Sequence, residues 1–196
     1  MKFGIKHQES YSRGELLLRT FFGMLYILLP HAFLLLFVLI GSLFLNFLTF
    51  WIILFSGKFP PTFFNYQLNL QRWNLRVMAR FSNLSDGYPS FGLSGTDENT
   101  WIELECPESS SRGKLLLRFF LSIFYVYIPH LFCLYFLSIA ASFVRFIAWW
   151  IVLFTGKYPA GMHGFSVGVM RWAFRVSAYM GYLTDTYPPF SLEEEA

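Results

Sequence analysis

Between Arg19 and Lys58 the chain carries no charge unless His31 is protonated, and between Arg118 and Lys157 it carries only Arg145. Apolar runs longer than about 18 residues read as membrane-embedded helix, because a helix alone satisfies its own backbone in hydrocarbon. The whole chain agrees: 55% of its residues are hydrophobic, 21% aromatic and only 14% charged, far from a soluble globular composition. Neither run ends in the small-residue cleavage site of a secretory signal, so both are expected in the mature protein. The expectation is an all-α integral membrane protein.

The chain also repeats itself. Ser12 to Leu93 aligns without a gap on Ser111 to Leu192, with roughly two in five positions identical, the mark of tandem structural units. The matches fall on distinctive residues. Ser12-Arg13-Gly14 returns as Ser111-Arg112-Gly113, Pro30-His31 as Pro129-His130, and Gly57-Lys58-Phe59-Pro60 as Gly156-Lys157-Tyr158-Pro159. Arg72-Trp73 with Arg76 returns as Arg171-Trp172 with Arg175, and Asp86-Gly87-Tyr88-Pro89 as Asp185-Thr186-Tyr187-Pro188. The repeats occupy 1–93 and 111–192, joined by an acidic linker (94–110) and followed by an acidic tail (193–196).

Each repeat opens on a short alternation, Phe3 and Ile5 or Ile102, Leu104 and Cys106, which reads as a brief strand, with two such strands able to pair. A helix starts at Ser12, where Ser12-x-x-Glu15 fits a capping box; the second repeat keeps Ser111 but has Lys114 at the acidic position. As one straight helix the apolar run would reach ~60 Å, twice the ~30 Å hydrocarbon core. It is therefore expected to fold back as a hairpin (about 14–57 and 113–156), turning at Pro30-His31 or at Gly41-Ser42. Basic residues at both ends of each run place both ends on the cytoplasmic side, which requires an even number of crossings, four membrane segments in all, and cytoplasmic termini. Gly57 and Gly156 suit a left-handed cap that ends the run. An amphipathic helix along the membrane surface is expected to follow, at about 63–84 and 162–183.

The string from Ile151 to Leu192, with Ile128-Pro129-His130 before it, resembles the bacterial membrane proteins of domain-of-unknown-function family 4389, and the first repeat resembles a looser copy. The resemblance implies a membrane location and repeated domains. It brings no established activity and no catalytic residues.

Several residues invite chemistry. His31 and His130, if they met across a pseudo-twofold axis, would offer two imidazoles to a haem iron or a metal, against the plainer reading of a Pro-His kink whose ring satisfies a freed carbonyl. Arg145, opposite Asn46 in the other repeat, is an intramembrane charge that needs a partner, a headgroup or a functional role. Arg72, Trp73 and Arg76, with Arg171, Trp172 and Arg175, read as contacts to lipid phosphates or as interfacial anchors. Asp86 and Asp185 read as ion-pair or turn residues sooner than as a catalytic pair. Cys106 and Cys133 have no metal-ligand spacing, and there is no phosphate loop or nucleophile elbow. The expectation is a protein that is not an enzyme and needs no cofactor: an accessory or scaffold subunit of a bacterial inner-membrane complex. Its partners would be lipids and other membrane subunits or a second copy, with no nucleic acid. The alternatives are a lipid- or small-molecule-handling transporter and a haem or redox subunit.

Overall fold

The computed structural model describes residues 1–194; the last two residues of the acidic tail, Glu195 and Ala196, lie outside it. The chain forms β1 (Lys2–Ile5), α1 (Arg13–Ser56), α2 (Pro61–Phe81), β2 (Thr100–Glu103), α3 (Arg112–Thr155) and α4 (Ala160–Met180). The second half reproduces the element order of the first, and β1 and β2 pair antiparallel with Phe3 opposite Ile102. Those two residues are sequence equivalents, and the register runs symmetrically out from them. A pseudo-twofold axis therefore passes through this pair.

The expected hairpins do not form. Arg13–Ser56 and Arg112–Thr155 are each one helix of 44 residues, long and apolar enough to cross a membrane. The physical reason is local repair at Pro30 and Pro129. A π-helical turn, Met24–Leu28 or Ile123–Tyr127, precedes each proline and makes room for its ring. The carbonyl each proline leaves without its usual partner belongs to Tyr26 or Tyr125, and the hydroxyl of Tyr88 or Tyr187 donates to it at 2.8 and 2.7 Å. Gly41 does not break the helix either: it admits the Tyr66 hydroxyl, which donates to the Val38 carbonyl at 2.8 Å. The left-handed caps at Gly57 (φ 70°) and Gly156 (φ 72°) end the helices as the sequence predicts.

The two long helices run antiparallel where they meet. Arg13 Nη2 donates to the Phe154 carbonyl and Arg112 Nη2 to the Phe55 carbonyl, at 3.0 and 2.8 Å. The Tyr11 amide donates to Gly156 O and the Ser110 amide to Gly57 O. Each half thus closes the end of the other half's long helix.

Polarity in the long helices is inverted relative to a soluble helix. The buried stripe of α1 runs Leu16, Arg19, Gly23, Ile27, His31, Leu35, Ser42, Thr49 and Ile53, at helical spacing along its whole length. The outward face is phenylalanine, leucine and tryptophan, with Phe55 74% and Phe154 71% exposed. α2 and α4 are not surface helices, contrary to the amphipathic reading. They are buried along most of their length, α1 and α3 on one side, the strands and loops on the other. Phe3, Leu16, Ile53, Leu75, Ile102, Leu115 and Val152 share one core around the axis.

Candidate functional site

The residues that occur twice act as ties between layers. At the start of α1, Ser12 Oγ accepts from the Glu15 amide, but the glutamate does not answer back as a capping box requires. Its carboxylate takes Arg19 Nη1 and the Gly87 amide, and Asp86 Oδ2 accepts the Ser12 amide instead. Asp86 Oδ1 also accepts Arg19 Nη2 at 2.7 Å. Arg118 and Asp185 repeat the pair, with Arg118 also donating to the Tyr179 and Thr184 carbonyls. Asp86 and Asp185 are thus each spent on a buried arginine, which fixes the turn after α2 or α4 to the start of the long helix.

His31 and His130 are each caged inside their own half. The Trp73 indole donates to His31 Nδ1 at 2.9 Å and the Trp172 indole to His130 Nδ1 at 2.8 Å. Phe91 stacks on His31 with centroids 3.9 Å apart, and Phe190 on His130 at 4.1 Å. An Nδ1 that accepts from an indole is an unprotonated nitrogen whose lone pair is engaged, so the proton sits on Nε2. His130 Nε2 then donates to Tyr187, which donates to the Tyr125 carbonyl freed by Pro129. His31 Nε2 is buried and turned to the Pro89 backbone. The cages consist of separate sets of side chains, and no group of three metal-ligating side chains occurs among the described residues.

The two Arg-Trp elements also point inward. Arg72 Nε donates to the Ile102 carbonyl of β2, and Arg171 Nε to the Phe3 carbonyl of β1, so each strand is held by the other half's helix. Arg76 clasps the Ser90 and Gly92 carbonyls; Arg175 clasps those of Ser191 and Glu193. Burial lowers the pKa of both Arg76 and Arg171. With Trp73 and Trp172 on the histidines, all six spend polar atoms on the protein's own groups, and Arg72 and Arg171 stay half-buried. The linker adds one more lock, which sequence reasoning missed. Asp97 receives both Arg80 Nη atoms, the Asn99 amide and the Thr100 hydroxyl. Burial pushes its carboxyl up, but these donors outweigh it and hold the pKa below 3.8.

Recesses open between the halves among the described residues. A cleft of about 470 Å³ near the axis is lined by Ser42, Asn46, Gln67, Gln71, Leu131 and Ser177, among others. A groove of about 580 Å³ lies between the first turns of α1 and the second half of α3, where Arg145 is found with Thr20, Asn83, Ser142, Phe146 and Trp149. Arg145 Nη2 donates to Ser142 Oγ at 3.0 Å. It makes no ion pair among the described residues.

Residues 112–191, spanning α3, α4 and the turn that follows, match the family described as Domain of unknown function (DUF4389). No curated protein and no solved structure matches the chain.

Proposed function

We propose that the protein is a non-catalytic accessory or scaffold protein of the bacterial inner membrane, built from two copies of the DUF4389 unit. It seats its long-helix layer in the cytoplasmic leaflet and presents its loop layer to the cytoplasm. The observation that carries this is the inverted polarity: α1 and α3 expose phenylalanine and leucine along their lengths, while polar loops cover the opposite side of α2 and α4. A 44-residue helix at 1.5 Å per residue is ~66 Å long. To fit a ~30 Å core by crossing it, such a helix would tilt about 60°, outside the usual range of 0–40°. Crossing would also carry loops that hold Asp97 and Arg80 into hydrocarbon. Lying in the plane of one leaflet keeps the exposed apolar face in lipid and every loop in water. This arrangement retains the cytoplasmic termini of the sequence reading and dispenses with its four crossings.

Single-cysteine labelling tests the placement. In a background lacking Cys106 and Cys133, cysteines at Ser94 and Lys2 are expected to react with a membrane-impermeant maleimide from the cytoplasmic side only. A cysteine at Phe37 is expected to react from neither side; labelling of Phe37 from the periplasmic face would overturn the one-leaflet placement. The scaffold role is tested by purification in mild detergent, where a monodisperse monomer with nothing co-purifying would sink it.

A lipid-handling role is the second reading, favoured by the charged groove at Arg145. The redox reading has less support, since each histidine has its Nδ1 engaged and is enclosed by its own half.

A further inference from the structure

We infer that the groove holding Arg145 binds the anionic phosphate headgroup of a phospholipid, whose acyl chains lie along the exposed aromatic face of α3; this rests on the membrane placement proposed above. The pseudo-twofold axis gives each half an equivalent location, and the two differ in a concerted way. Where α3 begins beside the end of α1, Phe119 packs on Phe50 with centroids 4.9 Å apart, and the long helix carries the neutral Asn46. At the other location Phe119 is replaced by Thr20, Phe50 by Trp149 and Asn46 by Arg145. There the Trp149 indole donates to Thr20 Oγ1 at 2.8 Å, and Thr20 donates onward to the Leu16 carbonyl. An aromatic plug has become an open groove with a hydrogen-bonded wall and one added cation.

The cation is unspent. Arg19 in the same groove is engaged by Asn83, Glu15 and Asp86, whereas the one hydrogen bond Arg145 makes among the described residues goes to a serine hydroxyl that itself donates to the Ser138 carbonyl. A guanidinium has five N–H donors in a planar fork that matches phosphate oxygens. Charge complementarity therefore selects an anion. The walls select one joined to hydrocarbon: Met24, Phe146 and Trp150 line the groove and are strongly exposed toward the lipid side.

The test uses the full-length protein in phosphatidylcholine vesicles that contain either brominated phosphatidylglycerol or brominated phosphatidylcholine, read by tryptophan quenching. Wild type is expected to prefer the glycerol lipid roughly fivefold, the scale of one arginine beside an anionic headgroup. Arg145→Asn, which copies the other half, is expected to fall to near parity while still being quenched by both lipids. Equal quenching in wild type, or a preference that survives in Arg145→Asn, would overturn the inference. So would loss of the wild-type preference on adding millimolar inorganic phosphate, which would mark a soluble-anion site. Quenching by neither lipid would remove the membrane placement itself. Should Arg145→Asn not fold, native mass spectrometry of wild type decides. Retained anionic lipid above its share of the source membrane supports the site, and retention at or below that share overturns it.

Discussion

The first half and the second half share their ties and differ in what those ties enclose. Both pair an arginine early in the long helix with the aspartate after the shorter one, both cage a histidine under an indole, and both cap a proline-freed carbonyl with tyrosine. Between these fixed points the fillings diverge in matched sets. Gly41 with Tyr66 becomes Ala140 with Phe165, so the extra methyl appears where the hydroxyl is lost. The Ser42–Gln67 pair, in which the serine hydroxyl donates to Gln67 Oε1 and Gln67 Nε2 donates to the Ser42 carbonyl, becomes Ala141 and Ser166. Arg80, held by Asp97 of the linker, becomes Tyr179, whose hydroxyl lies 3.0 Å from that of Tyr125. The scaffold tolerates exchange of interior pairs provided that volume and hydrogen bonding are exchanged together.

The sharpest way to break the comparison is at the shared ion pair. Asp185→Ala leaves the buried Arg118 with no carboxylate among the described residues and is expected to destabilise by about 3–5 kcal/mol, seen as a lower midpoint in detergent unfolding; Asp86→Ala is expected to cost less, because Arg19 keeps Glu15 and Asn83. Equal losses would show that Glu15 does nothing to hold Arg19 once Asp86 is gone. Next comes Gly41→Ala, whose new Cβ would stand 2.7 Å from the Tyr66 hydroxyl. It is expected to cost about 1–3 kcal/mol, and Tyr66→Phe in the same chain should recover most of that by reproducing the second half's pair.

Tyr88→Phe and Tyr187→Phe each leave a helix carbonyl unpaired, a loss of about 1–3 kcal/mol. Tyr187→Phe is expected to cost more, because His130 Nε2 loses its acceptor as well. Circular dichroism melts of the two variants measure the difference.

The smallest effect is a pH dependence that the second half adds at His163. His163 stands where the first half has Phe64; its Nε2 donates to the Leu84 carbonyl, and its ring meets His7 and Tyr158. Burial first, and then the neighbouring His7, lower its pKa below 6.5, while the Leu84 carbonyl acts the other way. A depressed base binds its proton more readily once unfolded, so this contribution is complete above pH 6.5 and is lost as acidification passes below it. His163→Phe should flatten the stability profile between pH 6.5 and 5, and an unchanged slope would locate the titration elsewhere.

Much of this was legible before the structure. The left-handed glycines and the strand alternation could be read from residues, because caps and alternating patterns are local consequences of backbone chemistry. The hairpin was misread because Pro30 and Pro129 look like breaks on the chain; the tyrosines that repair them lie 58 residues further on, as Tyr88 and Tyr187. The inward contacts of the Arg-Trp elements escape a sequence reading for a similar reason. A basic amphipathic helix presents the same pattern whether its polar side meets headgroups or the carbonyls of a folded loop. The Asp97 lock had no signal beyond the acidity of the linker.

By itself, the sequence determined that the chain is mostly helical and that two long stretches of it are apolar. Those features follow from composition and period, which every window of the chain carries. Only the tertiary structure decided that the prolines are bridged and that β1 and β2 lock each half to the other half's helix. It also decided that one of two equivalent grooves is plugged by Phe50 and Phe119 while the other stays open beside Arg145. Each of these depends on groups far apart in the chain meeting at bonding distance, and no local pattern encodes such a meeting.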